Sequence, residues 1–256
     1  MKNVLHLPLI LATVVLTLIA CSQGGGDSPA GLPAPTLSET PPLSQRVLVI
    51  GGSRGIGLAT VKLALERGHS VTMMSRSPEK AGLQHEALTL AAASILDKTA
   101  TAAAIEGHDA VVIAIGMGPT RDPVSLFSEG AKSVLAGMDA AGVTRLVAVT
   151  GIGAGETRGH GSFFYDYILQ PLALSTIYED KDLQEAIIRE HGDPLEWTIV
   201  RPGFLNDEAA NGRYRVINDV TDVTAGAITR ADTAHFILAA IEQGRYIGET
   251  PLISEQ

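Results

Sequence analysis

The sequence predicts an α/β fold: a doubly wound parallel sheet with helices on both faces and small C-terminal segments that shape a substrate pocket. Three observations predict it. Val47-Leu48-Val49-Ile50 is a short apolar run that ends in a glycine-rich turn, Gly51-Gly52-Ser53-Arg54-Gly55-Ile56-Gly57, and a helical pattern follows at once. Further unbroken apolar runs alternate with helical stretches, as strands covered on both faces do. The chain has 256 residues, of which 45% are hydrophobic, enough for one domain with a large core.

In chain order, the first strand covers 47–50 and a helix runs from 55 to 67, where Gly68 stops it. Residues 70–75 make the second strand, 87–92 a weaker third, and 98–106 an alanine-rich helix. The fourth strand, 109–115, is strongly apolar. Asp122-Pro123 offers an N-cap and first turn for a helix reaching Ala141, and 144–150 is the fifth strand. Helices are expected at 163–176 and 179–190, a sixth strand at 196–200 and a small hairpin at 212–217. Thr229-x-x-Asp232 is a capping box for a helix ending near Gln243, and 251–254 form the last strand. Right-handed crossovers between such strands give the Rossmann arrangement.

Strand, glycine turn and helix together are the context that a dinucleotide-binding loop requires. Glycines let the backbone approach a pyrophosphate closely, and the helix that opens there points free N–H groups at the anion. The same residues also read Gly51-x-Ser53-x-Gly55, the elbow of serine hydrolases, which would make Ser53 a nucleophile. That elbow normally follows several strands, whereas here it follows the first. At the end of the second strand stand Ser75 and Arg76 rather than a carboxylate. A carboxylate there accepts hydrogen bonds from the ribose 2′-OH of NAD, whereas a guanidinium pairs bidentately with a 2′-phosphate. Arg54, inside the loop, adds a second positive charge. The cofactor expected is therefore NADP(H).

Residues 1–20 stand apart. A short basic start precedes an almost wholly apolar run from 4 to 20, as in a signal peptide. Leu18-Ile19-Ala20-Cys21 resembles the lipobox of bacterial lipoproteins, which implies that Cys21 becomes the lipidated first residue of an exported, membrane-anchored protein on the periplasmic side. Ser22, rather than Asp, is similar to the signal for outer-membrane sorting. The alternative is a plain signal peptide or signal anchor, although His6 and Pro8 leave the run marginal for a spanning helix. Residues 21–45, rich in Gly, Pro and Ser, read as a flexible tether, and 46–256 as the nucleotide-binding domain. Cys21 is the only cysteine, so no intrachain disulfide is possible. A net charge of −9 with no basic block argues against nucleic acid. The seven histidines are scattered and indicate no metal site.

The spacing Gly51-x-x-x-Gly55-x-Gly57 resembles the short-chain dehydrogenase/reductase superfamily. Ser75-Arg76-x-x-x-Lys80, Ile95-Leu96-Asp97, Gly107-His108-Asp109-Ala110-Val111, Gly142-Val143-x-Arg145-Leu146-Val147 and Trp197-Thr198-Ile199-Val200-Arg201-Pro202-Gly203 extend the resemblance to its atypical, single-domain members (the NmrA-like type). Ser128-Glu129-Gly130-Ala131-Lys132 and Gly212-Arg213-Tyr214 are similar to the flavin reductase/biliverdin-IXβ reductase branch. The resemblance implies that Gly51, Ser53, Gly55, Ile56 and Gly57 hold the pyrophosphate and that Arg54 and Arg76 hold the 2′-phosphate. It further implies that Ser94 and Ile95 flank the adenine and that Ala114, Ile115 and Gly116 pass under the cofactor. Val149 and Thr150 would lie beside the nicotinamide ribose, and Arg201, Pro202 and Gly203 would line its far end.

The superfamily's Tyr-x-x-x-Lys proton donor is missing: Tyr165, Tyr167 and Tyr178 are followed at that distance by Leu169, Pro171 and Asp182. Lys181 sits at the lysine position of the atypical pattern without the tyrosine. The residues left for catalysis are Thr150, Tyr165 and Lys181, with His160 a weaker candidate. Reducing an ordinary ketone leaves an alkoxide that needs a positioned acid. Flavins and quinones delocalise the added charge, so holding acceptor and nicotinamide close is most of the catalysis. The sequence therefore points to an NADPH-dependent reductase of such small-molecule acceptors, or to a non-catalytic NADP(H)-binding module that senses or binds a partner. Export sits awkwardly with the first reading, because a reduced dinucleotide is not expected to be plentiful outside the cytoplasm.

Overall fold

The computed structural model describes residues 31–39 and 43–255. The expected signal sequence and Cys21 lie outside the described residues. The strands, in chain order, are β1 (Leu32–Pro33), β2 (Arg46–Ile50), β3 (Ser70–Ser75), β4 (Leu88–Ala92), β5 (Ala110–Ile113), β6 (Arg145–Val149), β7 (Glu196–Pro202), β8 (Phe204–Asn206), β9 (Arg215–Ile217), β10 (Ala227–Thr229) and β11 (Leu252–Ser254). The helices are α1 (Gly55–Glu66), α2 (Lys98–Ile105), α3 (Leu126–Ala141), α4 (Ser175–Glu190) and α5 (Arg230–Glu242).

The main sheet runs β1-β9-β11-β7-β6-β5-β2-β3-β4. All pairings from β4 through to β11 are parallel, and at the far edge only β9 is reversed, pairing antiparallel with both β11 and β1. The chain winds outward from β2 to β3 and β4, then returns to place β5 on the other side of β2. The crevice at that reversal, outside the carboxyl ends of β2 and β5, is where open α/β sheets bind ligands. Alternation along β2 feeds two cores. Val47 and Val49 pack with Val61, Phe236 and Ile237 under α1 and α5, whereas Leu48 and Ile50 pack with Val134, Met138 and Ile188 under α3 and α4. The doubly wound fold expected from the sequence is the one observed.

Four local expectations differ. The helix expected to open at Asp122-Pro123 begins only at Leu126. Its cap comes from α4: the Asp180 carboxylate accepts from the amides of Phe127 (2.7 Å) and Ser128 (3.4 Å) and from the Ser128 hydroxyl. The two helices expected at 163–176 and 179–190 are one continuous run, a π-helix from Tyr165 to Leu174 that passes directly into α4. The hairpin expected at 212–217 reduces to β9, which pairs with β11 and β1 instead. Part of the expected tether is docked. Leu32 and Pro33 pair with Val216 and Arg215, Thr36 and Ser38 carbonyls accept from Gln243 (2.8 Å) and Arg67 (3.0 Å), and Pro35 is buried. Its prolines suit an extended edge segment as well as they suit a linker.

Candidate cofactor site

The glycine loop is squeezed between α1 and the end of β5. Gly51 has φ +88°, and a Cβ there would lie 2.5 Å from the Ala114 carbonyl oxygen. A Cβ at Gly57 would lie 2.3 Å from the Gly51 carbonyl oxygen, so only hydrogen fits where α1 crosses the loop. The amides of Gly51 (2.8 Å) and Gly52 (3.4 Å) donate to Met74 O, tying the loop to β3. Above Gly55 the space is open: a Cβ would meet only the Arg230 side chain, at 3.7 Å. Arg54 is the N-cap residue of α1, and its side chain does not cap the helix. The first-turn amides and the dipole of a twelve-residue helix are thus presented to an anion. This cradle fits the pyrophosphate of a dinucleotide.

Cations surround the loop. Arg54 is exposed and reaches across to the Gly116 carbonyl (Nη2 to O, 3.2 Å). Arg76 follows β3 directly, is exposed, and has no partner among the described residues. Ser75 accepts from the Ser77 amide through its hydroxyl (3.3 Å). Arg230, beside Gly55 and paired with Asp207 (2.8 Å), is a third cation that the sequence reading missed. Its position after β10 carries no motif. Ser53, half-buried in the loop, has no histidine or carboxylate bonded to it among the described residues, so the hydrolase triad is not assembled there.

Around the crevice the expected residues separate into open and packed groups. Ala114, Ile115 and Gly116 leave the end of β5 with partial to full exposure, and Ser94 is half-buried, its hydroxyl accepting from the Leu96 amide (3.3 Å). Ile95 belongs to the core, 4% exposed and pressed on Gly130 of α3. Val149 is a core residue as well. The segment Arg201-Pro202-Gly203 does not line an open pocket. Arg201 is 2% exposed, ion-paired to Glu185 (Nε to Oε1, 3.0 Å) and to Glu156 (2.6 Å). Pro202 accepts from the Ile152 amide, and Gly203 lies so close to the Gly226 carbonyl that a Cβ would be 2.4 Å from it. The two acids draw the guanidinium inward.

Beneath the carboxyl ends of β6 and β7 lies a buried charge cluster. The Thr150 hydroxyl donates to Glu185 Oε1 (2.7 Å), and Lys181 Nζ donates to the Thr150 carbonyl (2.7 Å) while lying 4.6 Å from the Phe127 ring centre. Burial pulls the Lys181 ammonium down to about 8, against the stabilising pull of Glu185 and Asp180. Glu156 is held down at about 2, chiefly by its own backbone amide and by Arg201. The Tyr165 hydroxyl donates to Ile152 O (2.8 Å) and also bonds the Tyr178 hydroxyl; burial drives both phenols above the usual tyrosine range. Tyr178 stands opposite Gly151, where an added Cβ would be 3.3 Å from its hydroxyl. His160 is turned away, its Nδ1 on the Val223 carbonyl (2.9 Å).

The structure therefore brings Thr150, Lys181 and Tyr165 into one neighbourhood and adds Tyr178, which the Tyr-x-x-x-Lys spacing set aside, and Glu185, which the sequence reading missed. The signal was present: 178, 181 and 185 are spaced three and four residues apart, one face of a helix. Among the described residues no group of three or more metal-ligating side chains is assembled.

The pattern of the NAD(P)H-binding family matches residues 51–244, from the first glycine of the loop to the end of α5. The chain belongs to this family. Its curated relatives include the uncharacterised protein YwnB of Bacillus subtilis, 27% identical over 77% of this chain and 91% of YwnB. Among solved structures, a protein of Burkholderia pseudomallei described as a putative exported protein is 26% identical, with TM-score 0.62 over 82% of this chain and 99% of that one. ChuY, described as an anaerobillin reductase of Escherichia coli O157:H7, is 22% identical with TM-score 0.65, covering 82% of this chain and 97% of its own. The fold is shared with both.

Proposed function

We propose that this member of the NAD(P)H-binding family is an NADPH-dependent oxidoreductase of flavins, quinones or similar conjugated acceptors, anchored through a lipidated Cys21 on the outer side of the inner membrane or on the outer membrane. One observation carries the choice of acceptor. Thr150, Tyr165 and Lys181, the candidate proton donors, are each committed to a protein partner and buried. An acceptor that delocalises charge and takes its proton from water needs none of them. Bound NADPH would supply the hydride. The residues of this chain hold the pyrophosphate on the Gly51–Gly57 loop, meet the 2′-phosphate with Arg54 and Arg76, and keep the nicotinamide end beside Thr150, which Lys181 supports from below. The description of ChuY as an anaerobillin reductase and of the Burkholderia protein as a putative exported protein agree with a reductase and with export.

The same commitments favour a second reading, a dinucleotide-binding module without turnover. NADPH oxidation by the purified protein against FMN, a soluble quinone and a simple ketone separates the two. The reductase reading expects turnover with the first two and none with the ketone. Tight NADPH binding with no oxidation by any of the three would replace it with the second.

A further inference from the structure

The π-helical segment that follows the loop after β6 carries the most exposed apolar surface among the described residues. Phe163, Phe164 and Tyr167 are 76%, 64% and 68% exposed, and Ile168, Leu169 and Leu172 are also exposed. Phe163 and Tyr167 stack on each other at 4.9 Å rather than on the domain. From 162 to 176 the only charged residue is Asp166, in a chain of net charge −9. That carboxyl is half-buried, and burial raises it above the usual aspartate range. The segment is tied to the site from below: Tyr165 reaches Ile152 O, Gln170 reaches Gly153 O (3.0 Å), and Arg121 reaches Leu172 O (2.9 Å). An aromatic surface of this size, with a single half-buried carboxyl, is unusual on a water-facing side.

We infer that this surface docks on a lipid bilayer and turns the carboxyl edge of the sheet, with its crevice, toward the membrane. The inference rests on the reading of Cys21 as a lipid anchor. The chain outside the described residues argues for the bilayer as occupant. It runs only ten residues from Cys21 to Gly31, at most about 35 Å of extended chain. It enters the domain at the right place. A Cβ on Gly31 would be 2.6 Å from Ile217, and Ile217 shares a packed cluster with Ile152 and Tyr165, the root of the aromatic segment. The point where the anchor arrives and the apolar surface are thus neighbours across one cluster. Exposed Phe, Tyr and Leu on one side of a helix, with a wet opposite end, is the composition that lies in a membrane interface. No helix among the described residues is long and apolar enough to cross a membrane, so the contact is at the surface. An acceptor dissolved in the bilayer would then reach the crevice without crossing water.

The test uses full-chain protein purified from host membranes and reconstituted on phosphatidylcholine vesicles with brominated acyl chains. Phe164→Trp adds an exposed indole; the parent, whose only tryptophan is the half-buried Trp197 in β7, supplies the background. The inference expects Phe164→Trp emission to fall by about half on brominated vesicles and not on unbrominated ones, as for an indole a few ångströms below the headgroups. Protein that floats with the vesicles through Cys21 but keeps its Phe164→Trp emission overturns the docking and leaves the anchor standing. Parent protein whose Cys21 carries no acyl chain by mass spectrometry overturns the anchor reading and, with it, the argument for the bilayer as occupant. Dimers that vanish in Phe163→Ser/Phe164→Ser/Tyr167→Ser protein, without any quenching, overturn the inference in favour of a second copy of the chain.

Discussion

Lys181 Nζ donates to the Thr150 carbonyl at 2.7 Å from a position 7% exposed, so an ammonium stands under the last residue of the crevice floor without reaching the crevice itself. The short-chain reductases that the sequence resembles pair a lysine with a tyrosine. Here it holds backbone, and its charge is a cost of folding.

That cost has a sign. Burial lowers Lys181 to about 8, below the ordinary 10.5 of a lysine in the unfolded chain. Between those values the unfolded chain holds a proton that the native protein has shed, so stability from this group rises with pH across the window and is least below pH 8. Urea unfolding of the parent and Lys181→Met at about pH 7.5 and about pH 9.5 should show the parent gaining up to roughly 2 kcal/mol on the variant. A difference that stays flat with pH would contradict the burial of a charged Lys181.

Glu185 accepts from Thr150 (2.7 Å) and from Arg201 Nε and Nη2 while 2% exposed. Glu185→Ala leaves a buried guanidinium with only the exposed Glu156 opposite. Removing one partner of a buried pair typically costs about 3–5 kcal/mol. Equilibrium denaturation checks it, and a loss below about 1 kcal/mol would mean the pair is not buried as described.

The close passage of α1 over the loop predicts a contrast between two glycines. Gly57→Ala puts a methyl 2.3 Å from the Gly51 carbonyl oxygen, so the loop must move. It should cost about 2 kcal/mol and weaken NADPH binding more than about tenfold. Gly55→Ala meets only a side chain at 3.7 Å but sits at φ +57°, so its penalty should be about 1 kcal/mol of backbone strain. Paired thermal melts and cofactor titrations read both, and equal effects at the two positions would contradict the geometry.

Docking of the segment 31–39 depends on Arg67, which bonds Glu242 (2.6 Å and 2.7 Å) and the Ser38 carbonyl (3.0 Å). Arg67→Ala removes the clasp and leaves Glu242, 2% exposed, with His69 alone (2.9 Å). Limited proteolysis should then cut within 31–45 faster by roughly tenfold, the effect of an opening equilibrium shifted by about 1.4 kcal/mol. An unchanged rate would mean that β1 pairing alone holds the segment.

Most of the sheet was legible because buried parallel strands have no polar face to confuse: β2, β3, β5, β6 and β7 all appear within two residues of their expected ends at the start of each strand. Three of the four failures share one cause, long-range partners. Asp122-Pro123 reads as a cap locally, but Asp180, more than fifty residues later, takes the amides of α3. Segment 31–39 reads as linker, yet Val216 and Arg67 give it partners. In the site, the glycine loop was legible from spacing, because steric demand at Gly51 and Gly57 is written in residue type. Arg201 was not. Its sequence context suggests a ligand-facing role, and only the fold reveals the two acids that bury it. Lys181, in the charged stretch Glu179-Asp180-Lys181-Asp182, is likewise indistinguishable by composition from a solvated residue.

The central claim is that the loop, with Arg54 and Arg76, binds NADPH in preference to NADH. The most direct measurement is a nicotinamide-fluorescence titration of the protein and of Arg76→Ala with both nucleotides. The account predicts NADPH bound at least about tenfold more tightly than NADH, with Arg76→Ala losing most of that margin and leaving NADH unchanged, since a lost charge-assisted pair is worth about 1.5–3 kcal/mol. Equal affinity for the two, or NADPH binding that does not respond to Arg76→Ala, would contradict it.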